Sequence, residues 1–503
     1  MNLEPVVLAR LQFGATASFH ILFPCLIIGL ATYLAALKIL WMKTDRTIYR
    51  AQFEFWVKPF AAVFVIGVVT GVVLSWQLDT VFSGFYEQTV DVLVPIRKIE
   101  FANAMWLEAG CFCIMVWGRN RVGERLHLLA TLAVTVGIYV SVFCILARNS
   151  WMQTPDGFVL VDGRLRLEDW RAAVFNPSLP YRFVHMVGAA WISTGFVVAG
   201  VNAWILLKDD RHALARQGLR TALLASMVLV PLQVISGDLH GLNTRDHQPV
   251  KLAAMEGLWH TRAGAPLVPF AIPDPGGERN RYALEIPKLA SLIITHDPDG
   301  VVEGLSEVPK AERPNVPIVF YSFRIMVGLG LLMLAVAALG GYLMWTRRLF
   351  GERRFLRLCC CVAPSGLLAT IAGWCVTEAG RQPWVVYGLI RTGEITRANP
   401  VEQTLGTVAL IGAAYVALLV WLMFFLRRIA GLALQDPIGN AGGSTAARGV
   451  RPSRLRDLFT TAPRSAAPSR RRPWPGKEDP SSGVFPARSG DAHARARRHW
   501  RAM

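Results

Sequence analysis

Nine stretches of this chain are apolar for long enough to cross a lipid bilayer, and no other feature restricts its fold as much. A spanning helix needs about 20 mostly apolar residues. The stretches are 16–40, 56–78, 96–118, 127–147, 182–207, 219–240, 317–345, 357–379 and 404–427. The third is the weakest, because it holds Glu100, Asn103 and Glu108. Hydrophobic residues make up 53% of the chain and charged residues 17%, which excludes an ordinary soluble protein. The sequence predicts an all-α polytopic membrane bundle of about nine transmembrane helices.

Orientation follows from the Lys/Arg bias of the loops. Lys43, Arg46 and Arg50 follow the first span, and Arg119, Arg121 and Arg125 the third. Lys208, Arg211, Arg216 and Arg220 follow the fifth, and Arg347, Arg348, Arg353, Arg354 and Arg357 the seventh. Placing these loops in the cytoplasm puts the N-terminus outside and the C-terminus inside. Four regions result: spans over 1–240, a long outer loop over 241–316, spans over 317–430, and a basic tail over 431–503. The tail is rich in Ser, Pro, Gly, Ala and Arg and is expected to be disordered. Much of the net charge of +18 lies there and in short loops, a pattern that points to anionic lipid and away from nucleic acid. The cysteines form no disulfide framework and no CxxC or CxxCH motif, and no cleavable signal precedes the first span.

Ionisable groups inside spans are costly and usually functional. The stretch GWCVTEAGRQPW places Glu378 at the outer end of the eighth span, with Arg381 just beyond it. On the same topology His20, His185 and Met326 fall in the outer part of the first, fifth and seventh spans. Four different helices thus bring such groups to one depth. His and Met are axial ligands of haem iron, and a His/Met pair makes a low-spin electron-transfer haem. A lone histidine in a span is as readily a hydrogen-bonded packing residue, so the ensemble carries this reading. Glu100 and Glu108 are eight positions apart, roughly 12 Å of helical rise, and diverge by about 80°. With Asn103 between them they read as a proton relay or as partners of neighbouring cations. Lys251 and Glu256 lie on a helical piece of the outer loop, where charges usually form a solvated face.

The motifs RLQFGATASFHILF, IEFANAMWLEAG, NSWMQTP, FVHMVG, KLAAMEGLW, YSFRIMVG and GWCVTEAGRQPW occur in this order over about residues 4 to 430. In this the chain resembles subunit I of the cytochrome bd-type quinol oxidases. The resemblance implies that His185 and Met326 ligate a low-spin haem b. It implies that His20 and Glu378 ligate two high-spin haems, one a haem b and the other a haem d or a further haem b. GLNTRDHQPVK is similar to the cyanide-insensitive branch, where the further haem b is expected. Arg324, Trp374 and Arg381 would neighbour the haems. Glu100, Glu108 and Ser141 would lead protons to the oxygen site, and Lys251 and Glu256 would contact quinol. The implied reaction oxidises quinol at the outer face and reduces O₂ to water, building a proton gradient without pumping. The implied partners are a second multi-span oxidase subunit and a small single-span subunit, and the implied location is a bacterial cytoplasmic (inner) membrane. The basic tail has no counterpart in the family.

Other classes fit less well. A haem–copper oxidase needs a cluster of intramembrane histidines, whereas only His20 and His185 lie well inside spans. A secondary transporter often shows repeated halves, and this chain has none. The alternative kept is a haem-carrying electron-transfer anchor without oxygen reduction.

Overall fold

In hydrocarbon every backbone N–H and C=O needs a partner within its own segment, so apolar runs of this length fold as helices. The computed structural model describes residues 5–162, 164–396 and 401–433. Among these, nine helical stretches are long and apolar enough to span a membrane. Helix α1 (Pro5–Thr44) is followed by α2 (Thr47–Val81). The third span begins as α3 (Ser83–Asn103), passes through a π-helical turn at Ala104–Ala109, and ends as α4 (Gly110–Trp117). Next come α5 (Glu124–Gln153), a hairpin of β1 (Phe158–Val161) and β2 (Arg164–Leu167), α6 (Trp170–Val174), α7 (Leu179–Lys208) and α8 (Ala213–His247). Pro24, Pro59, Pro95 and Pro231 sit inside helices, as spans tolerate when neighbouring groups re-satisfy the freed carbonyl.

The long loop opens with α9 (Pro249–Glu256). It continues with β3 (Arg262–Ala263), β4 (Leu267–Asp274), β5 (Arg279–Ile286), α10 (Leu289–Thr295) and β6 (Val301–Val302). Then follow α11 (Val316–Trp345), α12 (Arg353–Val362), α13 (Ser365–Ala379), β7 (Trp384–Val386), β8 (Ile390–Arg391), α14 (Thr392–Ile395) and α15 (Val401–Ala433). The strands form small antiparallel pairs, β1–β2, β3–β6, β4–β5 and β7–β8, all in connections between spans. The chain is thus a helical bundle with short β ribbons at its surface, which span-level reasoning does not reveal. Helix α8 runs on to His247, past the expected start of the loop. Gly257 ends α9 in the left-handed conformation at φ 67°, packed against Phe320 of α11. The basic tail from 434 onward lies outside the described residues.

Helix α1 packs on α2, α5, α7 and α13; α7 packs on α8, α12 and α13; α11 packs on α8 and α13. One large apolar core joins them, with Phe23, Phe53, Trp56, Phe60 and Phe196 fully enclosed. Of the helices expected to carry haem ligands, α1, α7 and α13 pack on one another and α11 joins them through α13.

Candidate functional site

A polar cluster gathers where α13 ends. One oxygen of the Glu378 carboxylate accepts from Asn149 Nδ2 at 2.9 Å, and the other pairs with Arg381. Arg182, in the first turn of α7, and Lys251, on α9, add two more basic side chains near it. All three basic side chains are buried: Lys251 is 3% exposed, Arg381 4% and Arg182 7%. Burial, then the Arg182 and Arg381 charges, hold the Lys251 pKa well below the lysine range. Its Nζ donates to Gln153 Oε1 at 2.6 Å and Gln248 Oε1 at 2.5 Å. Gln153 in turn reaches Glu378 Oε1 at 3.5 Å. The expectation of a solvated loop face at Lys251 is corrected, since α9 is folded inward against α8 and α11.

Arg182 Nε and Arg381 Nε and Nη1 are buried with no protein partner. Uncompensated buried cations are strongly unfavourable. Two guanidiniums beside one carboxylate, with N–H groups left over, make this pocket suited to further anionic groups.

His20 Nδ1 lies 2.9 Å from Thr70 Oγ1. The Thr70 hydroxyl gives its one proton to the carbonyl of Ile66 at 2.9 Å or of Gly67 at 3.1 Å. With the proton there, Thr70 accepts from His20 Nδ1–H and Nε2 keeps a free lone pair, the form a metal ligand needs. On α7, His185 Nδ1 is buried and unpartnered, and its ring lies 5.5 Å from that of His240 on α8. A Cβ built at Gly71 would come within 3.2 Å of His20 Cε1. One at Gly237 would come within 3.4 Å of His185 Cε1, and one at Gly373 within 2.9 Å of Met326 Sδ. Each of these three side chains thus packs closely against a glycine of a neighbouring helix, most tightly Met326 on Gly373. Trp374 is partly buried against the main core, one helical turn before Glu378. Among the described residues no three His, Cys, Asp or Glu side chains gather as a metal-ion cage.

The third span treats its two carboxylates differently. Glu100 accepts from Arg148 Nη1 at 2.8 Å. Glu108 has no cation in contact; its Oε1 accepts from Ser141 Oγ at 2.5 Å and Asn103 Nδ2 at 3.2 Å. Glu108 sits in the π-helical turn, so the angular offset drawn from regular α-helix geometry does not hold here. Turns of this kind are frequent at functional sites. Glu100 is thus paired with a cation, while Glu108 sits in a hydroxyl–amide cluster.

Glu256, also buried, accepts from Arg324 Nη2 at 3.0 Å. Residues assigned separate tasks, one to quinol and one to haem, are joined as an ion pair. Sequence reasoning passed over Arg182, Thr70, His240, Gln153 and Gln248. Arg182 stood three residues before His185, one turn along the same helix face, which is the signal that could have found it.

Residues 8–433 match the family model described as cytochrome bd terminal oxidase subunit I. The chain is 32% identical over 440 residues to the cytochrome bd ubiquinol oxidase subunit 1 of Bacillus subtilis (strain 168), covering 85% of this chain and 94% of that one. It is 29% identical to the cytochrome bd-II ubiquinol oxidase subunit 1 of Escherichia coli (strain K12), covering 85% and 97%. The solved structure of the bd oxidase from Geobacillus thermodenitrificans superposes with a TM-score of 0.79 at 29% identity, covering 85% of this chain and 99% of that one. The chain belongs to the cytochrome bd terminal oxidase subunit I family. It is a multi-pass membrane subunit of a terminal respiratory oxidase, with haem as the cofactor and a second subunit as partner. Its residues fit haem in that buried guanidinium N–H groups of Arg182 and Arg381 and the His185 Nδ1 are left unpartnered among the described residues.

Proposed function

We propose that the chain oxidises membrane quinol on the face carrying its long loop, the outer face, and delivers electrons and protons for the reduction of O₂ to water. His185 and Met326 hold the low-spin haem b, and His20 and Glu378 hold the two high-spin haems, one b and the other d or a further b. When bound, the haems supply the redox centres that pass electrons and reduce oxygen.

The chain's own groups do the rest. Arg182 and Arg381 offer buried N–H groups to the haem carboxylates, while Trp374 walls the space beside Glu378. Arg324 orients the Glu256 carboxylate, which receives a proton from quinol, and Lys251 holds the adjoining Gln153–Gln248 pair. On the other side of the bundle Glu108 takes up protons, with Ser141 and Asn103 donating to its ionised form. Glu100, paired with Arg148, is the next carboxylate towards the haem layer. Protons leave on one face and enter from the other, so charge separates across the membrane without a pump. The N-terminus lies outside and the C-terminus inside a bacterial cytoplasmic membrane. A second multi-span subunit and a small single-span subunit complete the complex.

The observation that carries this reading is the pair of buried guanidiniums beside Glu378, Arg182 and Arg381, with N–H groups left unpartnered among the described residues. The test is pyridine haemochrome analysis and reduced-minus-oxidised spectra of the purified complex, together with quinol-driven oxygen uptake. Three haems and quinol-driven oxygen uptake are expected. A single bis-ligated haem and no oxygen uptake would replace this reading with an electron-transfer anchor.

A further inference from the structure

The hairpin of β4 and β5 carries an apolar surface for which the redox chemistry has no use. Its inner side is seated: Val268 and Ala271 are buried against Phe320 of α11. Tyr321 Oη donates to the Ala271 carbonyl at 3.0 Å, and Arg324 Nε donates to the Val268 carbonyl at 2.8 Å. Its other side is bare. Phe270, Ile272, Tyr282, Leu284 and Ile286 are all exposed, Tyr282 at 83% and Leu284 at 61%. Phe270 stands directly opposite Leu284 in the strand register. Ile272 stands opposite the exposed Arg281, and Glu285 is exposed between Leu284 and Ile286, so the ribbon mixes large exposed apolar groups with charges, as interaction surfaces do.

Depth along α11 decides what meets it. The stretch from Ile325 to Trp345 holds no charged residue. At 1.5 Å per residue it is about 30 Å long, the thickness of a hydrocarbon core. Arg347 and Arg348 follow at one end, and Arg324 and Tyr321 stand at the other. Basic and aromatic side chains of this sort mark membrane–water boundaries. The two contacts that pin the hairpin are made by these boundary residues, so the hairpin lies at headgroup depth. Ile318, Tyr321 and Ile325 are exposed along α11 and continue the apolar surface towards the spans.

We infer that the β4–β5 hairpin is an interfacial wedge whose partner is the phospholipid leaflet on the loop side. Its apolar side chains enter the layer where headgroups meet acyl chains. The ribbon goes no deeper, because its outer strand edges need water or headgroup partners that hydrocarbon lacks. The turn end stays wet: Asp274 pairs with Arg281 at 2.6 Å and Glu278 with Lys310 at 2.8 Å. The inference rests on the membrane fold alone and stands apart from the haem and quinol assignments.

Photocrosslinking in the assembled oxidase, in phospholipid nanodiscs, tests it. A benzophenone-bearing phenylalanine replaces Leu284 or, in a second variant, Phe270, with the exposed span position Ile325 as the lipid reference. Phospholipid adducts at both hairpin positions are expected, in yields within about twofold of the reference, as for side chains seated in the headgroup–acyl boundary. Adducts to another polypeptide would overturn the inference in favour of a subunit contact. Absence of lipid adducts would overturn it as well, and reaction with a water-soluble quencher would then identify a solvated loop.

Discussion

Arg324 on α11 donates to Glu256 on α9 at 3.0 Å, so the loop helix is tied to a span by a charge pair that is largely buried. In the proposed function this carboxylate serves quinol oxidation. We expect Glu256→Gln to keep the fold, since the amide still accepts from Arg324. Quinol-driven turnover should fall about a hundredfold, the usual scale for loss of a proton-accepting group. Oxygen uptake from an artificial electron donor should persist. Equal loss with both donors would show a structural role.

Met326→Leu keeps the volume of the side chain and removes its sulfur. The low-spin haem signal should be lost or shifted to high spin, with total haem and the helical fold retained. Optical difference spectra and electron paramagnetic resonance read this directly, and an unchanged low-spin signal would remove Met326 from the ligand set.

Thr70→Val removes the oxygen that fixes the His20 tautomer while keeping the shape at a fully buried site. Partners of metal-ligating histidines are worth about 10–100-fold in affinity. The ratio of high-spin haem to protein after detergent washing should therefore fall, with the low-spin spectrum unchanged. Full retention of all haems would mean that the His20–Thr70 bond serves packing alone.

Glu108→Gln should slow turnover per haem by about a hundredfold, the usual scale for loss of a proton-transferring group. The low-spin spectrum should be intact, because Gln can still meet Ser141 and Asn103. Glu100→Gln should differ, since it leaves Arg148 without its carboxylate. Reduced assembly is expected there as well as reduced rate. Normal turnover and normal voltage generation in Glu108→Gln liposomes would exclude an obligatory relay through Glu108.

Lys251 gives a pH signature with a definite sign. Its folded-state pKa is depressed, so between that value and the lysine's ordinary pKa the unfolded chain binds the extra proton. The Lys251 contribution to stability must therefore rise with pH across that window. The Tm of the complex minus that of Lys251→Met should increase towards alkaline pH, up to about pH 10. A flat or falling difference would show that Lys251 is charged and compensated in the folded protein.

The nine spans were legible in the residue order because apolar length is a local property, summed over neighbours in the chain, and a bilayer reads it without regard to tertiary contacts. His20, His185, Met326 and Glu378 stood out for the same reason, as polar or ligating side chains in apolar surroundings. Their partners were not legible. Asn149 meets Glu378 across 229 positions and Arg148 meets Glu100 across 48, contacts set by how packed helices are rotated about their axes. The π-helical turn under Glu108 changes that rotation by local backbone geometry that hydropathy does not encode. Lys251 and Glu256 looked like a solvated face in sequence. Only the folding of α9 onto α8 and α11 buried them, because the loop closes over the helix ends and exchanges water for Gln153, Gln248 and Arg324.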